Sequence, residues 1–149
     1  MRHVTNCILI HQGDVLFIRK PSRGWYSVPG GKMEPGETVR ESIIREYREE
    51  TGLHLIEPTL AGVFSFTEPN LEWMMHTFIS HAFEGTLNEF CEEGELEWVK
   101  IEEIPNLPMA EGDYKIFEHL LKTDQVVYGA FKYTKDRELL EHRIDSSIS

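Results

Sequence analysis

The sequence predicts an α/β domain, built from a mixed sheet and two helices. Three observations carry that expectation. The 149 residues, 40% of them hydrophobic, suit one ordinary domain with its own core. Short apolar runs bounded by turn residues recur along the chain and read as strands. Two segments carry the spacing of amphipathic helices. No repeat, low-complexity tract or Pro/Gly/Ser linker interrupts residues 1–149, so one domain is expected throughout.

The elements follow in order. VTNCILIH (4–11) and DVLFIRK (14–20) flank Gln12-Gly13 and read as a β-hairpin. PSRGWYSVPGGKMEPGE (21–37) is dense in Gly and Pro and reads as loop. A helix is expected to start at Thr38, because Thr38 and Glu41 have the spacing of a capping box. Gly52 is placed to end it in a left-handed cap, with Leu53 packing back. TLAGVFSFT (59–67), EWMMHTFISHAF (72–83) and ELEWVKI (95–101) read as strands. GDYKIFEHLLKT (112–123) reads as a second helix with Tyr114, Phe117 and Leu121 on one face. QVVYGAFKY (125–133) reads as a last strand.

Charge narrows the function classes. The formal net charge of -11 opposes binding to a nucleic acid duplex or an anionic membrane. It suits a protein that handles anions through bound cations. No apolar stretch approaches a bilayer span, and MRHVTNCILIHQGD lacks the apolar run and cleavage site of a signal peptide. Cys7 and Cys91 form no metal-like pair and read as reduced, structural thiols, so a cytoplasmic location is expected. His76 and His81 read as ordinary strand positions.

The most informative stretch is PGGKMEPGETVRESIIREYREETGL (29–53). Glu46, Glu49 and Glu50 stand at i, i+3 and i+4 and share a helix face. Each like-charge pair costs a few tenths of a kcal/mol in an isolated helix. The bland reading is a solvated acidic face beside the apolar stripe of Ile43, Ile44 and Tyr47. The functional reading is a site for hard divalent cations, which need several converging oxygens. A glycine turn adds a backbone carbonyl, because glycine lets the chain approach closely.

Residues 31–53 resemble a Nudix box, the motif of hydrolases that cut nucleoside diphosphates linked to another group. Gly31, Glu37, Arg45, Glu46, Glu49, Glu50, Gly52 and Leu53 occupy its defined places. Tyr47 stands where an aliphatic residue is usual, and a packing change is expected there. The resemblance implies an α/β/α sandwich around a mixed central sheet. It implies that Glu46, Glu49 and Glu50, with the Gly30 carbonyl, hold Mg²⁺ or Mn²⁺. Glu46 is a general-base candidate, although family members differ on which glutamate takes that role. Arg45 orients the carboxylates through Glu37 or Glu49, or forms a plain surface ion pair with Glu41 or Glu49. A further metal ligand is sought among Glu92, Glu93, Glu95 and Glu97, and Glu93 matches best when Trp98 is aligned with the Trp after that loop.

The C-terminal half resembles the MutT-like oxidised-purine triphosphatases more loosely. It shares a Trp strand, an Ile-Pro turn, a helix and a G-x-F-K-aromatic strand. That implies a small nucleotide substrate, with a purine triphosphate such as 8-oxo-dGTP cut to the monophosphate and pyrophosphate. Asp113 fits one place of an acidic pair that reads the purine edge; Gly112 fills the other, and Glu111 is a partial substitute. As an alternative, Asp113 only caps the second helix. Tyr26 stands after Trp25 where Asn is found in that group. Trp25 either stacks on a base or packs under the glycine loop. Arg19 reaches a substrate phosphate or is a solvated strand-end cation. Gly31 and Lys32 complete the expected substrate contacts. Pro69, sixteen residues past the box (69 - 53 = 16), is a marker of ADP-ribose hydrolases and keeps that substrate class as the alternative. A non-catalytic nucleotide-binding module is the second alternative. The sequence leaves the oligomeric state open.

Overall fold

Gln12 and Gly13 turn the chain with φ of 51° and 82°, the mirror-image turn that suits the twist of a two-residue hairpin. They join β1 (Arg2–His11) to β2 (Asp14–Arg19). The computed structural model describes residues 1–22 and 24–146. The remaining strands are β3 (Tyr26–Ser27), β4 (Gly30–Lys32), β5 (His54–Ile56), β6 (Thr59–Glu68), β7 (Leu71–Ser80), β8 (Ala82–Glu84), β9 (Glu95–Lys100), β10 (Val127–Tyr133) and β11 (Leu139–Ser146). The helices are α1 (Val39–Thr51) and α2 (Glu111–Leu120), with a short 3-10 helix over Ile101–Asn106.

Nine strands form one sheet in the order β11-β10-β6-β7-β1-β2-β3, with β4 also on β1 and β9 also on β2. The β1–β7 and β6–β10 pairs are parallel and the others antiparallel, so the sheet is mixed. β5 and β8 form a separate ribbon.

Strand parity makes the layers. Cys7 and Leu9 of β1 join Ile43 and Tyr47 of α1 in one core, while Ile8 joins Ile116, Phe117 and Leu120 of α2 in the other. Each helix therefore covers a different face of the sheet, giving the α/β/α sandwich. Thr5 and Ser42 bind each other at 3.0 Å through buried hydroxyls and fix α1 against β1.

The termini of α1 match their sequence signals. Thr38 accepts from Glu41 N–H, and Glu41 accepts from Thr38 N–H, completing the capping box. Gly52 ends the helix at φ 83°. A side chain there would meet Asn88 Oδ1 at 2.5 Å, so both conformation and space call for glycine.

Several expectations need correction. The second helix ends at Leu120, and Leu121 is its exposed cap, not a core position. Ile116, Phe117 and Leu120 form the buried stripe, and Tyr114 is only partly buried. The segment 72–83 is two strands, because the chain bends at His81. Two short strands cross the expected loop at 21–37, and a further strand, β11, follows the expected last one.

Candidate active site

Glycine sets the site's geometry. A Cβ on Gly30 would lie 2.0 Å from the Thr5 carbonyl, and one on Gly31 would lie 2.2 Å from Glu46 Oε2. Only bare backbone lets β4 pass between β1 and the acidic face of α1. Gly30, Gly31 and Lys32 then share a cleft of about 390 Å³ with Glu46, Glu50 and Glu93. Glu92 and Glu95 line a different depression, shared with Arg19. Glu97 is close enough to Tyr26 to raise its phenol pKa.

Burial and the neighbouring charges of Glu93 and Glu46 push the Glu50 carboxyl up to about 7, against the downward pull of the Gly30 backbone and Lys20. Its Oε2 is buried and has no hydrogen-bond partner. An orphaned carboxylate oxygen beside two further carboxylates matches the donor set of a hard divalent cation. Among the described residues, no three acidic, His or Cys side chains converge as a closed cage.

Arg45 ties this face together. It donates through Nε to Glu37 Oε2 at 2.6 Å and through a terminal nitrogen to Glu37 Oε1 at 2.9 Å. It also donates to Glu46 at 3.0 Å, to Glu49 at 3.2 Å and to the Lys32 carbonyl at 3.1 Å. Its hydrogen bond, with help from the Glu34 N–H, holds the Glu37 carboxyl down at about 2. Glu41 takes no part, being used in the cap. Glu49 is exposed and does not line the cleft; its contact is Arg45.

The cleft continues past Lys20 and Ser27, which line every part of it. Beyond them lies an aromatic pocket of about 430 Å³ walled by Trp25, Tyr26, Phe66 and Trp73. Trp73 stacks on Phe66 with ring centres 5.1 Å apart and planes 4° apart, which makes a rigid wall. Asp113 lines this pocket with Glu68 and Arg137. It retains an open surface, but the surrounding protein removes most of its water and pushes its carboxyl up to about 6, while Lys20 and Arg137 pull it down.

Asp113 does not cap α2. The N-cap is Ala110, with no side-chain capping bond, and Asp113 lies in the first turn. The Gly112 N–H donates to the Tyr133 hydroxyl at 2.7 Å, and a Cβ there would meet that oxygen at 2.4 Å. A second acid at 112 is thus excluded by space. Glu111 is exposed and lines no part of the cleft.

Lys20 is the cleft cation that sequence reasoning missed. Ile18 and Lys20 both face the cleft, and two-residue alternation sends Arg19 to the opposite side. The strand's parity was the available signal. Glu68, Trp73 and Arg137 were also missed, since hairpin ends and a later turn bring them in from far along the chain. Pro69 sits with Asn70 (φ 67°) in the two-residue turn joining β6 to β7, where its ring suits the first corner.

Comparison with known proteins bears on the family and the fold. The model of the NUDIX domain family matches residues 1–120. An uncharacterised Nudix hydrolase of Bacillus subtilis, YvcI, is 47% identical over 150 aligned positions, spanning 97% of this chain and 95% of that protein. The crystal structure of a mutator MutT protein from Bacillus halodurans superposes with a TM-score of 0.94 at 46% identity, covering 97% of this chain and 98% of that one. An ADP-ribose pyrophosphatase of Methanocaldococcus jannaschii is 32% identical, over 67% of this chain and 62% of that protein. A glycine-lined acidic cleft, an arginine clamp on one helix face and these likenesses lead to one assignment: the chain belongs to the NUDIX family and is a Nudix hydrolase of nucleoside diphosphate-linked substrates.

Proposed function

We propose that the protein hydrolyses a purine nucleoside triphosphate, oxidised purines such as 8-oxo-dGTP included, to the monophosphate and pyrophosphate. The observation that carries this reading is the continuity of the acidic cleft with the aromatic pocket of Asp113 through Lys20 and Ser27. A base held between aromatic walls extends its phosphates toward Glu46, Glu50 and Glu93.

Glu46, Glu50, Glu93 and the Gly30 carbonyl are the groups that would hold Mg²⁺ or Mn²⁺. A bound divalent cation neutralises phosphate oxygens and acidifies water. The chain's own residues do the rest. Lys20 and Lys32 attract the phosphate chain. Glu46, fixed by Arg45 in the space that Gly31 leaves free, takes the proton of the attacking water as its oxygen bonds to phosphorus and the anhydride P–O bond breaks. Glu49 holds Arg45 in turn. Trp25 and Trp73 sandwich or support the base, and Asp113 meets its edge. Asp113 accepts from ring or amino N–H groups when ionised and donates when protonated, and its raised pKa makes both forms accessible near neutrality. The buried free thiols of Cys7 and Cys91 support a reducing, cytoplasmic setting.

A second reading, ADP-ribose hydrolysis, is favoured by the likeness to the archaeal ADP-ribose pyrophosphatase. A screen of pyrophosphate and phosphate release with Mg²⁺ separates the two. Substrates are oxidised and normal purine and pyrimidine triphosphates, ADP-ribose, dinucleoside polyphosphates and capped RNA. The proposal expects the highest kcat/KM for a purine triphosphate. Faster cleavage of ADP-ribose replaces it with the second reading. Binding without turnover across the screen makes the domain a nucleotide-binding module.

A further inference from the structure

The open edge of the central sheet carries an inference independent of the cleft. β11 is the outermost strand at one end of the sheet; at the other, the shorter β9 pairs with β2 alone. One side of β11 bonds to β10, and among the described residues no strand lies beyond the other side. A strand of eight residues therefore presents a row of backbone donors and acceptors to solvent. Glu141, Arg143 and Asp145 alternate along it and so share one face. All three are exposed, and among the described residues none of them forms an ion pair. Arg143 lies opposite Ala130 on β10, which offers it no charge. Tyr128, the β10 partner of Asp145, is 51% exposed.

We propose that β11 is a self-association edge, to which a second copy of this chain adds its own β11 antiparallel about a two-fold axis. Edge strands are commonly kept apart by charged side chains, lysine above all. Here the signs alternate, and that pattern complements itself. With the axis at His142, Arg143 stands opposite Glu141 of the partner subunit. With the axis at Ile144, it stands opposite Asp145 of the partner subunit. Both registers set arginine against carboxylate twice, once for each copy. A register one residue away sets Arg143 against Ile144 of the partner subunit and inverts one sheet face relative to the other, which the pairing of charges disfavours. Main-chain hydrogen bonds supply the attraction and the charges select the register.

The test is molar mass by light scattering over a concentration series, using the full chain. Wild type is expected to approach the mass of two chains as concentration rises. Arg143→Glu places three acids on the edge, and the double variant Glu141→Arg/Asp145→Arg places three arginines there; each alone should stay a single chain at every concentration. An equimolar mixture of the two should regain the two-chain mass. All altered residues are exposed, and unchanged far-UV circular dichroism checks the fold. A wild type that remains monomeric, an Arg143→Glu variant that associates like wild type, or a mixture that fails to associate would each overturn the proposal.

Discussion

Arg45 holds Glu37 through two nitrogens, at 2.6 and 2.9 Å, and reaches Glu46 from the same guanidinium. The loop before α1 and the acidic face of α1 are thereby locked into one unit. A lysine offers one compact charge and no planar fork. Arg45→Lys is expected to lower kcat at least about tenfold, or about 1.4 kcal/mol in the barrier, with KM changed less. The Glu37 carboxyl is depressed, so the stability it contributes is present above pH 4.5 and lost as pH falls toward about 2. Acid unfolding of Glu37→Gln should lack that share.

The proposed metal site makes Glu50 a point of test. Chelation should abolish turnover, and Glu50→Gln should lower kcat at least about a hundredfold, roughly 2.7 kcal/mol. Mg²⁺ should raise the Tm of wild type, since a ligand of the native state alone shifts unfolding. That shift should shrink in Glu50→Gln. Glu49→Gln should also lose activity, through Arg45, but less than Glu50→Gln, because Glu49 lies outside the cleft.

Asp113 gives a prediction with a pH signature. Its folded pKa is raised from 3.8 to about 6 by burial. The stability it contributes is therefore full below pH 3.8 and lost as pH rises through about 6. Asp113→Asn should match wild type in Tm near pH 3.8 and exceed it at neutral pH. The same variant should lose kcat/KM for purine triphosphates and leave pyrimidine triphosphates nearly unchanged. A uniform loss across bases would remove Asp113 from base recognition.

Tyr47 is fully buried in the α1 core, and its hydroxyl has no partner. A buried unsatisfied hydroxyl costs about 1–3 kcal/mol, so Tyr47→Phe should be neutral or stabilising. Activity should persist, because the position packs against Cys7, Leu9 and Leu16 and lies outside the cleft. Thermal denaturation and a rate assay check both points.

Signals written in local sequence were legible, and those created by tertiary geometry were not. Thr38, Glu41 and Gly52 mark the ends of α1 through their own backbone chemistry. The hairpin at Gln12-Gly13 is equally local. β11 was hidden, because charges at 141, 143 and 145 interrupt the apolar pattern of a strand. Glu93 joins Glu50 across 43 residues (93 - 50 = 43), and only the fold brings them to one cleft. Arg19 and Lys20 end the same run of sequence, and only the strand's facing separates them, which is why Lys20 went unnoticed. Gly112 looked like a lost acid; it is a glycine because Tyr133 occupies the space.

The most direct test is the initial rate of pyrophosphate release from dGTP and 8-oxo-dGTP, measured for wild type and Glu50→Gln with Mg²⁺ and with a chelator. The account predicts release by wild type only with Mg²⁺, and at least about a hundredfold less by Glu50→Gln. Release that persists under chelation, or that is as fast in Glu50→Gln as in wild type, would contradict it.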